Sequence, residues 1–132
     1  MPHISKHRIS EVAEKALKRR FVEIIRAIGR DRRSKYAIRE LFTDTECLML
    51  GKRLAIIYML SKENSILDIC ETLNVSSSTV IRIGRVYDRC GYENLEKIFH
   101  KLEPSLLEVL EIIMSAGVPL VSDGRFKKLS EE

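Results

Sequence analysis

Apolar residues recur along this chain at the 3.6-residue spacing of helices, and nowhere alternate long enough to make a strand. Val12, Ala16, Leu17, Phe21, Ile24, Ile25 and Ile28 form the first stripe. Ser10 stands before it as a cap, with Glu11 and Glu14 in the first turn at the helix's positive end, and Gly29 predicts its stop. After the polar connector Arg30–Lys35, the segment Tyr36–Leu41 continues as a short helix or an approach segment. Thr43 and Glu46 have capping-box spacing and predict a helix to about Ser61, with Leu50, Leu54, Ile57 and Leu60 inward. Gly51 inside that helix suggests close approach of another backbone. Tyr92–Leu102 offers Leu95, Ile98, Phe99 and Leu102 on one face. Pro104 suits the first position of a last helix, Ser105–Ser115, striped by Leu106, Val109, Leu110, Ile113 and Met114 and stopped by Gly117 and Pro119. The pattern predicts an all-α fold of about six helices.

The stretch Ile66–Arg85, I-L-D-I-C-E-T-L-N-V-S-S-S-T-V-I-R-I-G-R, is the most specific part of the chain. It reads as a helix-turn-helix, the unit that places its second helix in the DNA major groove. Ser65 caps the first helix. Ile69 and Leu73 share one of its faces. Cys70 is small, as a close helix crossing requires. Asn74 tolerates the left-handed backbone of the turn, and Val75 tucks beneath it. Ser76 is an N-cap, and Val80 and Ile83 point the second helix inward. Ser77, Ser78, Ile81, Arg82 and Arg85 remain on or beside the outer face, with Ser76 at its rim. Such groups suit base edges, a thymine methyl and phosphates. Apolar spacing alone would describe an ordinary helical hairpin. The turn, the cap and the outer set, all in order, add the DNA-reading assignment.

The length of 132 residues implies one domain with extensions. We divide it into a basic arm and amphipathic dimerisation helix (1–39), a helix-turn-helix core with C-terminal helices (40–117) and a flexible tail (118–132). A net charge of +4 conceals an asymmetry. Residues 1–39 hold 12 Lys/Arg against 4 Asp/Glu, a net of +8, and residues 40–132 hold 11 against 15, a net of −4. A basic segment ahead of a DNA-reading unit fits phosphate contact through counterion release, and a solvated helix face would look the same.

Cys47, Cys70 and Cys90 are odd in number and lack C-x-x-C spacing, so neither disulfides nor zinc are predicted. His3 and His7 are four apart but have no further ligand at compatible spacing. No Gly-rich phosphate loop, H-E-x-x-H or nucleophile elbow occurs, so we expect neither an enzyme nor a cofactor. No apolar run reaches membrane-spanning length, and the N-terminus lacks a secretory signal, so we expect a cytoplasmic protein that does not enter membranes.

The stretch from Leu41 to Arg89 resembles the Trp repressor superfamily. The resemblance rests on the Thr43–Glu46 box, L-G-x-R at Leu50, Gly51 and Arg53, and T-[IV]-x-R at Thr79 to Arg82. R-C-G-Y-E-N-L after the second helix looks closest to its YerC/YecD-type branch. The resemblance implies an intertwined all-helical homodimer that binds a pseudo-palindromic operator in double-stranded DNA and represses transcription. It implies that the apolar stripe of the first helix is buried against the partner subunit. It also implies an effector pocket at Thr43, Arg53, Thr79 and Arg82. In tryptophan-binding members a glycine follows the second arginine. Here the residue is Ile83, which fills the space of an indole, and Val86 replaces a polar serine. We therefore expect no tryptophan binding.

The sequence thus predicts a dimeric, sequence-specific DNA-binding regulator. Ser77, Ser78 and Ile81 would read bases, while Arg82, Arg85 and Ser76 would hold backbone or guanine. Two alternatives stand beside it. One is a helical protein-interaction module that does not read DNA, suggested by the acidic second half, with Asp68 at an exposed helix start and Asp88 flanking the recognition helix. The other is a repressor gated by an unknown small molecule near Arg53 and Arg82.

Overall fold

The computed structural model describes residues 8–115, of which 103–107, 109–111 and 113–115 by backbone alone. The arm with His3 and His7, the tail from 116 onward, and the side chains of Leu106, Val109, Leu110, Ile113 and Met114 lie outside the described residues. The described chain is all-helical, without strands. Its elements are α1 (Glu11–Arg30), α2 (Ser34–Leu41), α3 (Asp44–Ser61), α4 (Ile66–Leu73), α5 (Ser77–Asp88) and α6 (Glu93–Ser115).

The helix starts follow their caps. The Ser10 hydroxyl accepts from the Ala13 N–H at 3.2 Å. The Thr43–Glu46 box closes in both directions: Glu46 N–H donates to Thr43 Oγ1 at 3.1 Å, and Thr43 N–H donates to the Glu46 carboxylate at 2.8 Å. α1 runs one residue past Gly29 and ends where Asp31 turns extended.

The chain divides into two compact units, one up to Glu46 and one from Cys47 onward, with α3 starting in the first and running into the second. In the first unit α1 and α2 pack as a helical hairpin. The Phe21 and Phe42 rings meet edge to face, 6.5 Å apart. Neither helix buries a single residue. Val12 is 80% exposed and Leu17 63%.

The core of the second unit joins Ile56, Ile57, Tyr58 and Met59 of α3 to Ile69 and Leu73 of α4, Val80 and Ile83 of α5, and Phe99 of α6. Tyr58 and Phe99 pack edge to face at 5.7 Å. The expected inner face of α3 needs correction. Leu50 and Leu54 are exposed, while four consecutive residues, Ile56 to Met59, are buried. Four in a row point in every direction around a helix, so the end of α3 is enclosed on all sides rather than along a stripe. Gly51 also differs from expectation: a Cβ there would meet nothing within 4 Å. The predicted break at Pro104 is absent, since α6 is one helix from Glu93 to Ser115. Proline has no N–H to donate to the His100 carbonyl, and the helix continues across that missing rung.

Three helices end alike. Glu63, Asn74 and Cys90, after α3, α4 and α5, all have positive φ, at 61°, 51° and 60°. After α3, Glu63 N–H donates to Leu60 O and Asn64 N–H to Met59 O. After α5, Cys90 N–H donates to Tyr87 O and Gly91 N–H to Val86 O. Both are Schellman closures with a side-chain-bearing residue where glycine is usual.

Candidate nucleic-acid interface

The helix-turn-helix forms as its local chemistry dictates. Ser65 accepts from the Asp68 N–H at 3.1 Å and starts α4. Asn74 adopts the left-handed conformation, and the Val75 N–H closes onto the Cys70 carbonyl at 3.2 Å. Ser76 then caps α5 by accepting from the Thr79 N–H at 3.3 Å. Its oxygen also lies 3.1 Å from Ser78 Oγ and 2.9 Å from Thr79 Oγ1. The Ser76 hydroxyl is therefore engaged within the protein, as the anchor of the helix start. Ile69 and Val80 are fully buried, Leu73 and Ile83 nearly so, and Cys70 and Val75 pack half-buried against them.

Val80 and Ile83 fix the inward direction of α5. At 3.6 residues per turn, Ser78, Ile81, Arg82, Arg85 and Arg89 lie within about 50° of the opposite direction. Ser77 stands at the edge of that face. All six are exposed, Ile81 at 39%. Arg82, Arg85 and Arg89 are spaced i, i+3, i+7, so three guanidinium groups follow one stripe. No ion pair engages them among the described residues. Arg89 was not singled out from the sequence, although its spacing from Arg82 would have found it.

Two features near this face correct or extend the sequence reading. Asp68 is buried, at 8% exposure, and is not an open negative charge beside the outer face. Burial in the first turn of α4 places its carboxylate at the positive end of that helix. At the other end of α5, Tyr87 hydrogen-bonds to Glu96 of α6, and this bond with partial burial pushes its pKa up to about 12. Tyr87, Asp88, Cys90, Tyr92, Glu93 and Glu96 line a shallow cleft there of about 320 Å³. Cys47 and Cys70 are half-buried free thiols, and Cys90 is an exposed one.

The residues expected around an effector are placed as follows. Thr43 is exposed in the first unit and is occupied as the cap of α3. Arg53 is exposed on α3, Thr79 is half-buried in the first turn of α5, and Arg82 is exposed beyond it. Ile83 is in the core at 6% exposure.

The basic N-terminal segment has a simple internal structure. Its four acidic residues are each matched locally: Glu11 with Lys15, Glu14 with Lys18, Glu23 with Arg20, and Asp31 with Arg33. The Arg33 hydrogen bond holds the Asp31 carboxyl below the usual range. The surplus positive charge of the described part therefore sits on Arg8, Arg19, Arg26, Arg30, Arg32, Lys35 and Arg39, all exposed. Between α1 and α2 lies an open groove of about 510 Å³, floored by Ile24, Ala27, Ile28 and Ala37.

Among the described residues, no helix is long and apolar enough to cross a membrane, and no three metal-ligating side chains come together. No family model, curated protein or solved structure matches the chain.

Proposed function

We propose that this chain is a sequence-specific DNA-binding transcriptional regulator, a repressor, acting as a homodimer through α4 and α5. The observation that carries the reading is the outer face of α5. A capped helix, set by a left-handed turn and anchored by Val80 and Ile83, presents serines, one isoleucine and three arginines that no ion pair engages among the described residues. The mixture of small hydroxyls, an apolar group and bidentate cations matches what base edges and phosphates offer. The surplus cations of α1 and α2 add sequence-independent attraction. A hairpin that buries nothing supports the homodimer, since such an apolar stripe needs cover. The resemblance of Leu41–Arg89 to the Trp repressor superfamily supports the same architecture.

The test is selection of bound duplexes from random DNA, followed by fluorescence titration at low salt. The expected result is a pseudo-palindromic site whose half-sites lie about one DNA turn, roughly 34 Å, apart, the spacing known for this docking geometry. Absence of duplex binding at micromolar protein would leave the protein-interaction module instead. With Asp68 buried, that alternative has lost part of its acidic surface. Small-molecule gating remains a second proposal, and on the resemblance Ile83 makes tryptophan an unexpected effector. A thermal-shift panel of metabolites tests it, and a flat response argues for a constitutive binder.

A further inference from the structure

The outer face of α5 contains one group that does not fit phosphate binding. Ile81 is 39% exposed and lies at one edge of the outer face, beside Ser77, Ser78 and Arg85 at helical spacing and turned away from Val80 and Ile83. It is not part of the core cluster. An isoleucine can neither donate nor accept a hydrogen bond. Pressed against the N7, O6 or amino groups of a purine edge, it would strip water from them and give nothing back. In the major groove only one unmodified base offers an apolar group instead, the C5-methyl of thymine. Arg85, one turn on from Ile81, and Arg82 further round the same exposed face argue against an apolar protein partner there, because their charges would be buried without counter-ions.

We propose that Ile81 is a methyl reader. In each half-site it seats against the C5-methyl of a pyrimidine, next to a base held by the neighbouring arginines. The ligand feature is the methyl group, so 5-methylcytosine satisfies it as well as thymine does, and uracil does not. The inference rests on the DNA-binding reading above and specifies what that face selects.

The experiment takes the duplex recovered by selection and replaces its thymines one at a time with deoxyuridine, which removes only the methyl. Binding is measured for the full chain and for Ile81→Ala, an exposed helical substitution that should leave the fold intact. The expected result is one sensitive thymine per half-site, where uracil weakens the full chain about three- to fivefold, the worth of one buried methyl. Ile81→Ala should be indifferent at that position, and a 5-methylcytosine–guanine pair there should recover more affinity than the unmethylated pair. Normal duplex binding with no uracil-sensitive position, or with equal sensitivity in Ile81→Ala, overturns the methyl reader and leaves the DNA-binding reading standing. Failure of both chains to bind any duplex overturns both.

Discussion

Val86 and Gly91 close the end of α5 upon one another. The Gly91 N–H donates to the Val86 carbonyl at 3.0 Å, and a Cβ on Gly91 would run into the Val86 side chain and lie 2.9 Å from its carbonyl oxygen. Glycine is needed here for space. Gly91→Ala should destabilise the protein by roughly 1–3 kcal/mol, the usual cost of overpacking. Urea unfolding measures it. A stability within about 0.5 kcal/mol of the parent, as at ordinary surface sites, would show that the closure can shift to make room.

Ser76 is predicted to matter for folding more than its neighbours do. It accepts from the Thr79 N–H and holds two further hydroxyls, whereas Ser77 makes no such bond among the described residues. Ser76→Ala should cost about 1 kcal/mol, the value of a lost N-cap. Ser77→Ala should change stability by less than about 0.5 kcal/mol. Equal effects in thermal or urea unfolding would contradict the cap assignment.

On the outer face, position along α5 separates two roles. Arg82 lies in the middle of the helix and Arg89 at its end. On the proposed function, Arg82→Ala weakens specific binding by about 1–3 kcal/mol and relaxes the sequence preference. Arg89→Ala should lower affinity for all duplexes alike and reduce the salt slope by about 1. Titrations with selected and random duplexes at several salt concentrations distinguish them. Arg82→Ala with unchanged operator affinity would refute the assignment.

The Tyr87–Glu96 bond carries a pH signature. The phenol's pKa rises from an ordinary 10.0 to about 12 in the folded protein, so the folded state holds the proton more tightly than the unfolded one. Its contribution to stability is therefore complete below pH 10 and is lost as pH rises towards 12. In a phenolate absorbance titration, Tyr87→Phe should remove a late-titrating component that the parent shows. The stability gap between parent and variant should narrow over that same range. A gap that stays constant through the alkaline range would mean the bond does not distinguish folded from unfolded chain.

The parts of the structure legible in the sequence are those decided locally. Ser10, Thr43, Ser65 and Ser76 cap helices as read, because a hydroxyl and an N–H three residues on need no distant partner. Asn74, Val80 and Ile83 also stand as expected. What escaped depends on surroundings. A stripe assumes one buried side, and α3 at Ile56–Met59 is covered on all sides. Pro104 suits a helix start, yet a long helix can lose one rung and continue, as α6 does. Burial of Asp68 reflects how α4 is packed, which its neighbours in sequence do not encode. Arg89 was legible by spacing, but it lay beyond the stretch on which the pattern focuses attention.

The left-handed junctions after α3, α4 and α5 have a consequence for association entropy. Each is held by a residue with a side chain, Glu63, Asn74 or Cys90, and not by glycine. A side chain narrows the range of φ and ψ open to each junction, so none of the three serves as a loose joint. The helices they connect are thus presented at fixed angles before any partner arrives. A surface built this way gives up little freedom on docking, so more of whatever its outer face gains in contact remains as affinity.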